Sequence, residues 1–192
     1  MNKYVLKNGI ILDGTKDMKP YKADILVNDG EIEDIITDGK SPVGYSEIDL
    51  SGKYIMPGLI NMHVHLAGNG KPQKKQRDNE KLVKRVFATP IGRFAAEKLV
   101  ETYAKIELMS GVTTIRTVGG LRDLDTKTRD KINKGLIDGP RILASNEAIS
   151  VPGGHMAGSV AVACRSTEEA IAQIEKLKGE KVNLIKLMIT GG

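Results

Sequence analysis

The chain has 192 residues, of which 40% are hydrophobic and 28% are charged, and this composition is typical of a folded globular protein. Lys and Arg (29) outnumber Asp and Glu (24) by only 29 − 24 = 5, and aromatic residues make up 4% of the chain, which argues against a nucleic-acid-binding surface of interleaved basic and aromatic side chains. A closed barrel of eight β/α units requires about 250 residues, so the length argues against a complete one.

Three further features bear on the environment of the protein. The densest basic stretch covers residues 71–85, and because Asp78 and Glu80 interrupt it, we interpret it as a solvated loop and helix face. Cys164 is the only cysteine, so no intramolecular disulfide can form, and we interpret it as a small buried residue. The first residues lack the apolar core of a signal peptide, and no apolar run approaches the roughly 20 residues of a membrane span. We therefore expect a cytoplasmic protein without membrane contact.

The first fifty residues predict short strands joined by tight turns. Asn8-Gly9 and Asp29-Gly30 each lie between apolar runs, which favours two β-hairpins, over residues 4–12 and 24–36. A further short strand ends at Ser51-Gly52. We expect a small antiparallel β unit, which would be marginally stable unless it packs on another part of the protein.

After residue 53 the pattern alternates between strands and helices. We predict buried or β-branched strands at residues 59–64, 112–118, 142–144 and 182–189. Helical spacing covers residues 80–87, 94–110, 123–137 and 166–178, and the second of these helices has an apolar face formed by Phe94, Leu99, Val100, Tyr103, Ile106 and Leu108. Such alternation predicts a parallel sheet with right-handed crossovers, in an α/β fold. The pattern alone does not separate a doubly wound sheet from half of a barrel.

His63 and His65 form the first candidate site. Side chains two residues apart on a strand point to the same face, so both imidazoles can converge on one metal ion while Val64 packs on the other side. They lie at the end of a predicted parallel strand, where catalytic residues of α/β proteins collect. The alternative is a pair of histidines that hydrogen-bond to the backbone.

Lys186 is the second candidate, because it lies within the apolar run Leu184–Ile189. Burial of an unpaired ammonium group is unfavourable and drives the amine neutral, and a neutral amine can react with carbon dioxide to form a carbamate that bridges two metal ions. The alternatives are that Lys186 points outward or pairs with a carboxylate. His155, in the glycine-rich loop 151–158, is the third candidate, since it could contact a substrate or polarise its carbonyl, or cap the local backbone instead.

Four segments together resemble the metal-dependent amidohydrolase superfamily. Residues 55–65 follow the pattern Pro-Gly-x-Ile-Asp-x-His-x-His, with Asn61 in place of the common Asp. Residues 111–116, 152–155 and 185–188 add a strand, a Gly-Gly-His loop and the Lys186 strand. The loop and Lys186 are similar to those of the imidazolonepropionase-related branch, which includes the Xaa-Pro dipeptidases (prolidases). The resemblance covers essentially the whole chain.

This resemblance implies a fold and a chemistry. The fold would be the N-terminal half of a (β/α)8 TIM barrel, residues 54–192, preceded by part of a composite β-sandwich, residues 1–53. The chemistry would be hydrolysis of amide or peptide C–N bonds in dipeptides, N-acyl amino acids or a cyclic amide. One or two divalent ions, zinc first with iron or manganese as alternatives, would be held by His63, His65 and carboxylated Lys186, and would activate the attacking water, with Lys186 and His155 as the catalytic candidates.

The same resemblance places further metal-binding histidines on strands five and six and an essential Asp on strand eight, all beyond residue 192. We therefore expect the 192-residue chain to have little or no hydrolase activity by itself. An alternative of a different class is a non-catalytic binding or assembly module, which would self-associate through the exposed edges of a half barrel. A nucleotide-binding domain is disfavoured, because the sequence has no phosphate-binding loop.

Overall fold

The computed structural model of the chain describes residues 3–40, 42–68 and 78–189. It divides into two compact units, residues 1–57 and 58–192. Residues 71–77, which hold four of the residues in the basic stretch, lie outside the described residues, as do the last three residues of the chain. No helix in the described part of the chain combines the length and the apolar character needed to cross a membrane.

The first unit is a five-stranded sheet. Its strands are β1 (Lys3–Ile11), β2 (Tyr21–Asn28), β3 (Glu31–Ile36), β4 (Ser46–Asp49) and β5 (Tyr54–Ile55). The first three strands pair antiparallel in the order β3-β2-β1, whereas β4 and β5 both pair parallel with β1. A small apolar core of Ile11, Ala23 and Ile25 holds the sheet together.

The first of the two predicted hairpins is wrong, because β1 runs through Asn8 without turning back. The pairing of β1 with β2 shifts register between Leu6 and Gly9, and Asn8 has a φ of 64° within this bulge. The Asn8 N–H donates to the Asp24 carboxylate at 2.9 Å. Tolerance of a positive φ, which made Asn8 a turn signal, therefore serves a bulge here. The second predicted hairpin is confirmed, since Asp29 and Gly30 connect β2 to β3.

The second unit contains six further strands and four helices among the described residues. They are β6 (Leu59–Val64), α1 (Asn79–Phe87), α2 (Pro90–Met109), β7 (Val112–Thr117), α3 (Leu124–Asn133), β8 (Arg141–Leu143), β9 (Ala148–Ser150), β10 (Ala161–Ala163), α4 (Thr167–Gly179) and β11 (Leu187–Met188). All of their strand pairs are parallel, in two sheets of order β6-β7-β8 and β10-β9-β11. The predicted alternation is confirmed, but the short β9 and β10 were not predicted.

Helices α2 and α4 each begin at a side chain that satisfies a free backbone N–H group, and Asp78 does the same for α1. Thr89 precedes Pro90 and accepts from the Gly92 N–H, and Ser166 accepts from the Glu169 N–H. At the start of α4 the Glu169 carboxylate also accepts from a backbone N–H, that of Arg165, whereas in a capping box it would accept from the N–H of Ser166.

The burial of α2 differs from the prediction. Its buried apolar positions are Ala96, Val100 and Ala104, spaced four residues apart, whereas Phe94 and Ile106 are exposed. The small alanines allow the helix to lie close to β7. The predicted apolar face is therefore confirmed at Val100 and wrong at Phe94 and Ile106, because the buried stripe continues through alanines.

Two strands that were predicted to be buried are partly uncovered. Ile60 on β6 is 63% exposed and Ile189, directly after β11, is 86% exposed. Strand β6 is at one end of its three-stranded sheet, and β11 is at one end of the other. Each therefore has a strand neighbour on one side only, within the described residues. The fourth predicted strand is also shorter than expected, because only Leu187–Met188 of residues 182–189 pairs as a strand.

Candidate functional site

The C-terminal end of β6 brings two imidazoles together. The ring centroids of His63 and His65 lie 5.3 Å apart with the ring planes at 65° to each other. Val64 between them is buried on the opposite side, as the two-residue period of a strand requires. The N–H of His63 donates to the side-chain oxygen of Asn61 at 3.2 Å, so the amide at this position fixes the backbone of the histidine pair.

One ring nitrogen of His65 is held by the backbone. Its Nδ1 lies 2.9 Å from the carbonyl oxygen of Gly119, two residues after β7. A carbonyl oxygen can only accept, so Nδ1 carries the proton and donates, and in the neutral ring Nε2 keeps a free lone pair. Ligand histidines in metal sites commonly use one ring nitrogen in this way and bind the metal with the other.

Gly119 is the point at which several strand ends meet. Its φ is +130°, which L side chains rarely adopt. A Cβ at this position would lie 3.3 Å from Cε of Met188, 3.3 Å from the Val160 oxygen and 3.4 Å from Cε1 of His65. Both the backbone conformation and the close packing therefore require glycine.

A network of hydrogen bonds among buried polar groups holds the backbone of Gly119 in place. The Gly119 N–H donates to Oγ of Ser145, and the Ser145 N–H donates to Oγ1 of Thr117, at 2.9 and 3.0 Å. The N–H of the next residue, Gly120, donates to the carbonyl of Asn146 at 2.7 Å. Ser145, Thr117 and Asn146 are fully buried. Sequence reasoning missed this support, although the signal was present in the polar pair Ser145-Asn146 directly after a predicted strand.

A buried carboxyl group adjoins this network. Asp125, in the first turn of α3, is buried, and its carboxyl packs so closely on Gly120 that a Cβ there would lie 2.4 Å from Oδ2. Burial raises the pKa of Asp125 to about 6, although the neighbouring Thr117 hydroxyl and the backbone N–H of Asn146 lower it in part.

Lys186 lies directly before β11, and its charge acts on the imidazole of His63. It is half-buried, and its carbonyl accepts from the Ile149 N–H at 2.9 Å, which ties this part of the chain to β9. Desolvation, together with the positive charges of His65, Lys186 and Arg116, lowers the pKa of His63. Arg116 donates from Nε to the Met62 carbonyl at 2.8 Å, so this guanidinium also lies beside β6.

His155 does not join this group in the structure. Its side chain is exposed, and within the described ranges no contact links it to His63, His65 or Lys186. Its neighbour Met156 instead lines a cavity that reaches His65. Cys164 is buried, as expected, and burial raises the pKa of its thiol.

The described residues supply an incomplete set of metal donors. Among them, no three or more His, Cys, Asp and Glu side chains form a group that could hold a metal ion. His63 and His65 are the two nitrogen donors whose rings the structure places side by side, whereas a catalytic zinc site commonly has three protein ligands and one open position.

Comparisons with known proteins point to one protein family. The sequence model of the Amidohydrolase family matches residues 54–192. A dihydroorotase of Caldanaerobacter subterraneus subsp. tengcongensis is 42% identical over 76 residues, which are 38% of this chain and 16% of the relative. A dihydroorotase of Listeria monocytogenes is 36% identical over 72 residues, with the same coverage of both chains.

Solved structures match the whole length of the chain. A prolidase candidate from Bifidobacterium longum has a TM-score of 0.76 and 33% identity, and the match covers 100% of this chain and 42% of that one. A Xaa-Pro dipeptidase with methionine bound in its active site has a TM-score of 0.75 and 25% identity, covering 99% and 48%. This chain thus spans less than half the length of these structures. The matches confirm the expected fold class, part of an amidohydrolase (β/α)8 barrel preceded by a small β unit.

Proposed function

Since this chain belongs to the amidohydrolase family, we propose that it carries the first part of the active site of a metal-dependent hydrolase that cleaves C–N bonds. The observation that carries the proposal is the pair of imidazoles at the end of β6, with His65 oriented by the Gly119 carbonyl. Catalytic groups of barrel enzymes lie at this end of the strands.

The residues present fit a divalent metal ion in part. The free Nε2 of His65 and the imidazole of His63 are nitrogen donors of the kind that zinc, iron and manganese sites use. The lowered pKa of His63 favours the neutral ring, which is the form that binds a metal. Bound there, a divalent ion would supply a Lewis acid that lowers the pKa of a water molecule and polarises a carbonyl group.

The chain's own residues have distinct parts in this proposal. His63 and His65 present their ring nitrogens on one face of β6, and Gly119 holds the orientation of His65. Lys186 supplies an amine beside them that, once carboxylated, would offer two further oxygen donors. His155, on its exposed loop, would meet the substrate rather than the metal.

The proposed substrates are small amides, with dipeptides and N-acyl amino acids first and a cyclic amide as the alternative. Similarity to a prolidase candidate and to a Xaa-Pro dipeptidase favours dipeptides as substrates. Similarity to a dihydroorotase favours a cyclic amide. We expect little or no turnover by the 192-residue chain, since the two imidazoles and one amine proposed as donors among the described residues do not complete a catalytic zinc site.

Calorimetric titration of the 192-residue chain with Zn²⁺ tests the proposal. We expect His63→Ala and His65→Ala each to weaken zinc binding at least tenfold, because each removes one of two imidazole donors. The matched control is His155→Ala, which removes the third histidine of the chain and leaves the affinity unchanged. Equal zinc affinity in all three variants would contradict the proposal.

A second candidate function, an assembly module, is favoured by the uncovered strands. Leu59, Ile60 and Met62 on β6 and Leu187 and Ile189 around β11 are large exposed apolar side chains. Surfaces of this kind associate with other surfaces, here with a second copy of the chain. Sedimentation over a range of concentrations decides the question, because a stable monomer at every concentration would exclude this function.

A further inference from the structure

A cavity of about 640 Å³ lies beside His65, outside the group of metal donors described above. Its walls come from α1, α2, the segment after β6 and the loop before β10. The apolar side chains that form most of its surface include Leu82, Val86, Phe87, Leu99, Leu121 and Met156. This volume falls within the range of small-molecule sites, roughly 300–1,000 Å³.

The chemistry of the walls selects against charge. Among the described residues that line the cavity, none is Asp, Glu, Lys or Arg, and the polar side chains are His65, Asn79 and Ser159. A charged group in such a space would lose its hydration without gaining a partner. The cavity therefore suits an aliphatic or aromatic group.

The helix α1 presents an apolar face to this cavity and buries no residue of its own. Leu82 and Leu99 both line the cavity and are 47% and 41% exposed. Helix α1 also packs closely on the loop that carries His155, since a Cβ on Gly158 would lie 2.6 Å from the Glu80 side chain. An apolar ligand would thus cover surface that the described residues leave open.

His65 connects the cavity to the candidate metal site, because it lines the cavity and its ring lies 5.3 Å from that of His63. We infer that the cavity binds a large apolar acyl group or side chain of the substrate, directly next to the bond that is cleaved. This inference rests on the proposed function and narrows it to N-acyl amino acids and dipeptides with a bulky apolar group. The scissile carbonyl would lie at the histidine pair, with its apolar substituent between α1 and α2.

The test uses the metal-free 192-residue chain and N-acyl-L-alanines with acyl groups of two, four, six and eight carbons. Binding is followed by amide chemical shifts in the presence of EDTA, so no hydrolysis interferes. We expect the affinity to rise about fourfold for each added methylene, the value for transfer of a methylene from water to an apolar site. Equal affinity across the series would overturn the inference.

Two matched variants on α2 locate the binding. Leu99→Ala should weaken binding of the eight-carbon ligand about fivefold, because it removes an apolar wall of the cavity. Ile106→Ala removes an exposed apolar side chain on the same helix that does not line the cavity, and should change the affinity less than twofold. The same effect in both variants would contradict the location. Since this assay contains no metal, loss of zinc binding alone would overturn the proposed function and leave apolar binding in place.

Discussion

The two sides of the candidate site differ in how they are supported. The imidazole of His65 hydrogen-bonds to the carbonyl of Gly119, whose own N–H donates to the buried side chain of Ser145. The N–H of the next residue, Gly120, donates to the carbonyl of the buried Asn146. Lys186, in contrast, lies directly before the two-residue β11, which is at the end of its sheet, and is followed by the exposed Leu187. We call the first the supported side, because hydrogen bonds among the described residues hold it in place. We call the second the uncovered side, which comprises the end strands β6 and β11 with their exposed apolar side chains. Substitutions on the two sides should therefore have very different effects.

The largest effect is expected at Asn146. Its side chain accepts from the Thr126 N–H and donates to Oγ1 of Thr126 and to the Glu180 carboxylate, and its φ is 54°. Asn146→Ala leaves these buried groups without partners and places alanine in a left-handed conformation. We expect the free energy of unfolding to fall by about 4 kcal/mol, measured by urea denaturation.

The control for Asn146 is Asn61→Ala on the uncovered strand β6. Asn61 accepts one hydrogen bond, from the His63 N–H in an exposed position, so we expect a loss of about 1 kcal/mol or less. Equal losses of unfolding free energy in the two variants would contradict the difference in support between the two sides of the site.

The next effect is a pH dependence that Asp125 confers on the supported side. Burial raises its pKa from 3.8 to about 6, so the folded chain keeps this proton over a range in which the unfolded chain has released it. The contribution of Asp125 to stability is therefore full below about pH 4 and falls by about 3 kcal/mol as the pH rises through 6.

Urea denaturation of the wild type and Asp125→Asn between pH 4 and pH 7 measures this contribution. The difference in unfolding free energy between the two proteins should change by about 3 kcal/mol over this range, because the amide does not titrate. A difference that stays constant with pH would show that Asp125 is not held in a protonated, buried form.

A smaller effect is expected at Gly119 itself. Gly119→Ala should destabilise the chain by about 2 kcal/mol, from the strained φ and from contact with His65, Met188 and Val160. The matched control is Gly111→Ala, where φ is +91° and no atom lies within 4 Å of the added Cβ, so that strain acts alone. Only the Gly119 variant should also weaken zinc binding. Weakened zinc affinity in both variants would contradict a specific role of Gly119 in orienting His65.

The smallest effect on stability is expected on the uncovered side. Ile60→Thr should change the unfolding free energy by about 0.5 kcal/mol or less, because the side chain is already largely exposed. If the uncovered strands pair two copies of the chain, the same variant lowers the sedimentation mass at high concentration. A loss of several kcal/mol would mean that β6 is buried in solution.

The sequence was informative where a local rule determines the structure. The period of two along a strand predicted that His63 and His65 share a face, and the helix caps and the Asp29-Gly30 turn follow from similarly local chemistry. The resemblance in residues 55–65 also has a physical basis, since a Cβ on Gly58 would lie 2.0 Å from Oγ1 of Thr113 on β7. Glycine is required there for close approach of two strands.

The sequence was less informative where distant parts of the chain decide the outcome. The positive φ that Asn8 tolerates suits both a hairpin and a bulge, and pairing with β2, β4 and β5 selects the bulge. The large side chains of α2 matched a helical period, but packing against β7 selects the alanines. The partner of His65 lies 54 residues away, which no local pattern reveals.

The central claim is that Gly119 orients His65 so that Nε2 is free to bind a metal. Long-range proton–nitrogen NMR of the imidazole rings tests it directly, because the chain has only three histidines and His155 serves as an internal reference. The account predicts that His65 is protonated at Nδ1 and that Zn²⁺ shifts its Nε2 resonance while His155 stays unchanged. A His65 ring protonated at Nε2, with no response to Zn²⁺, would contradict it.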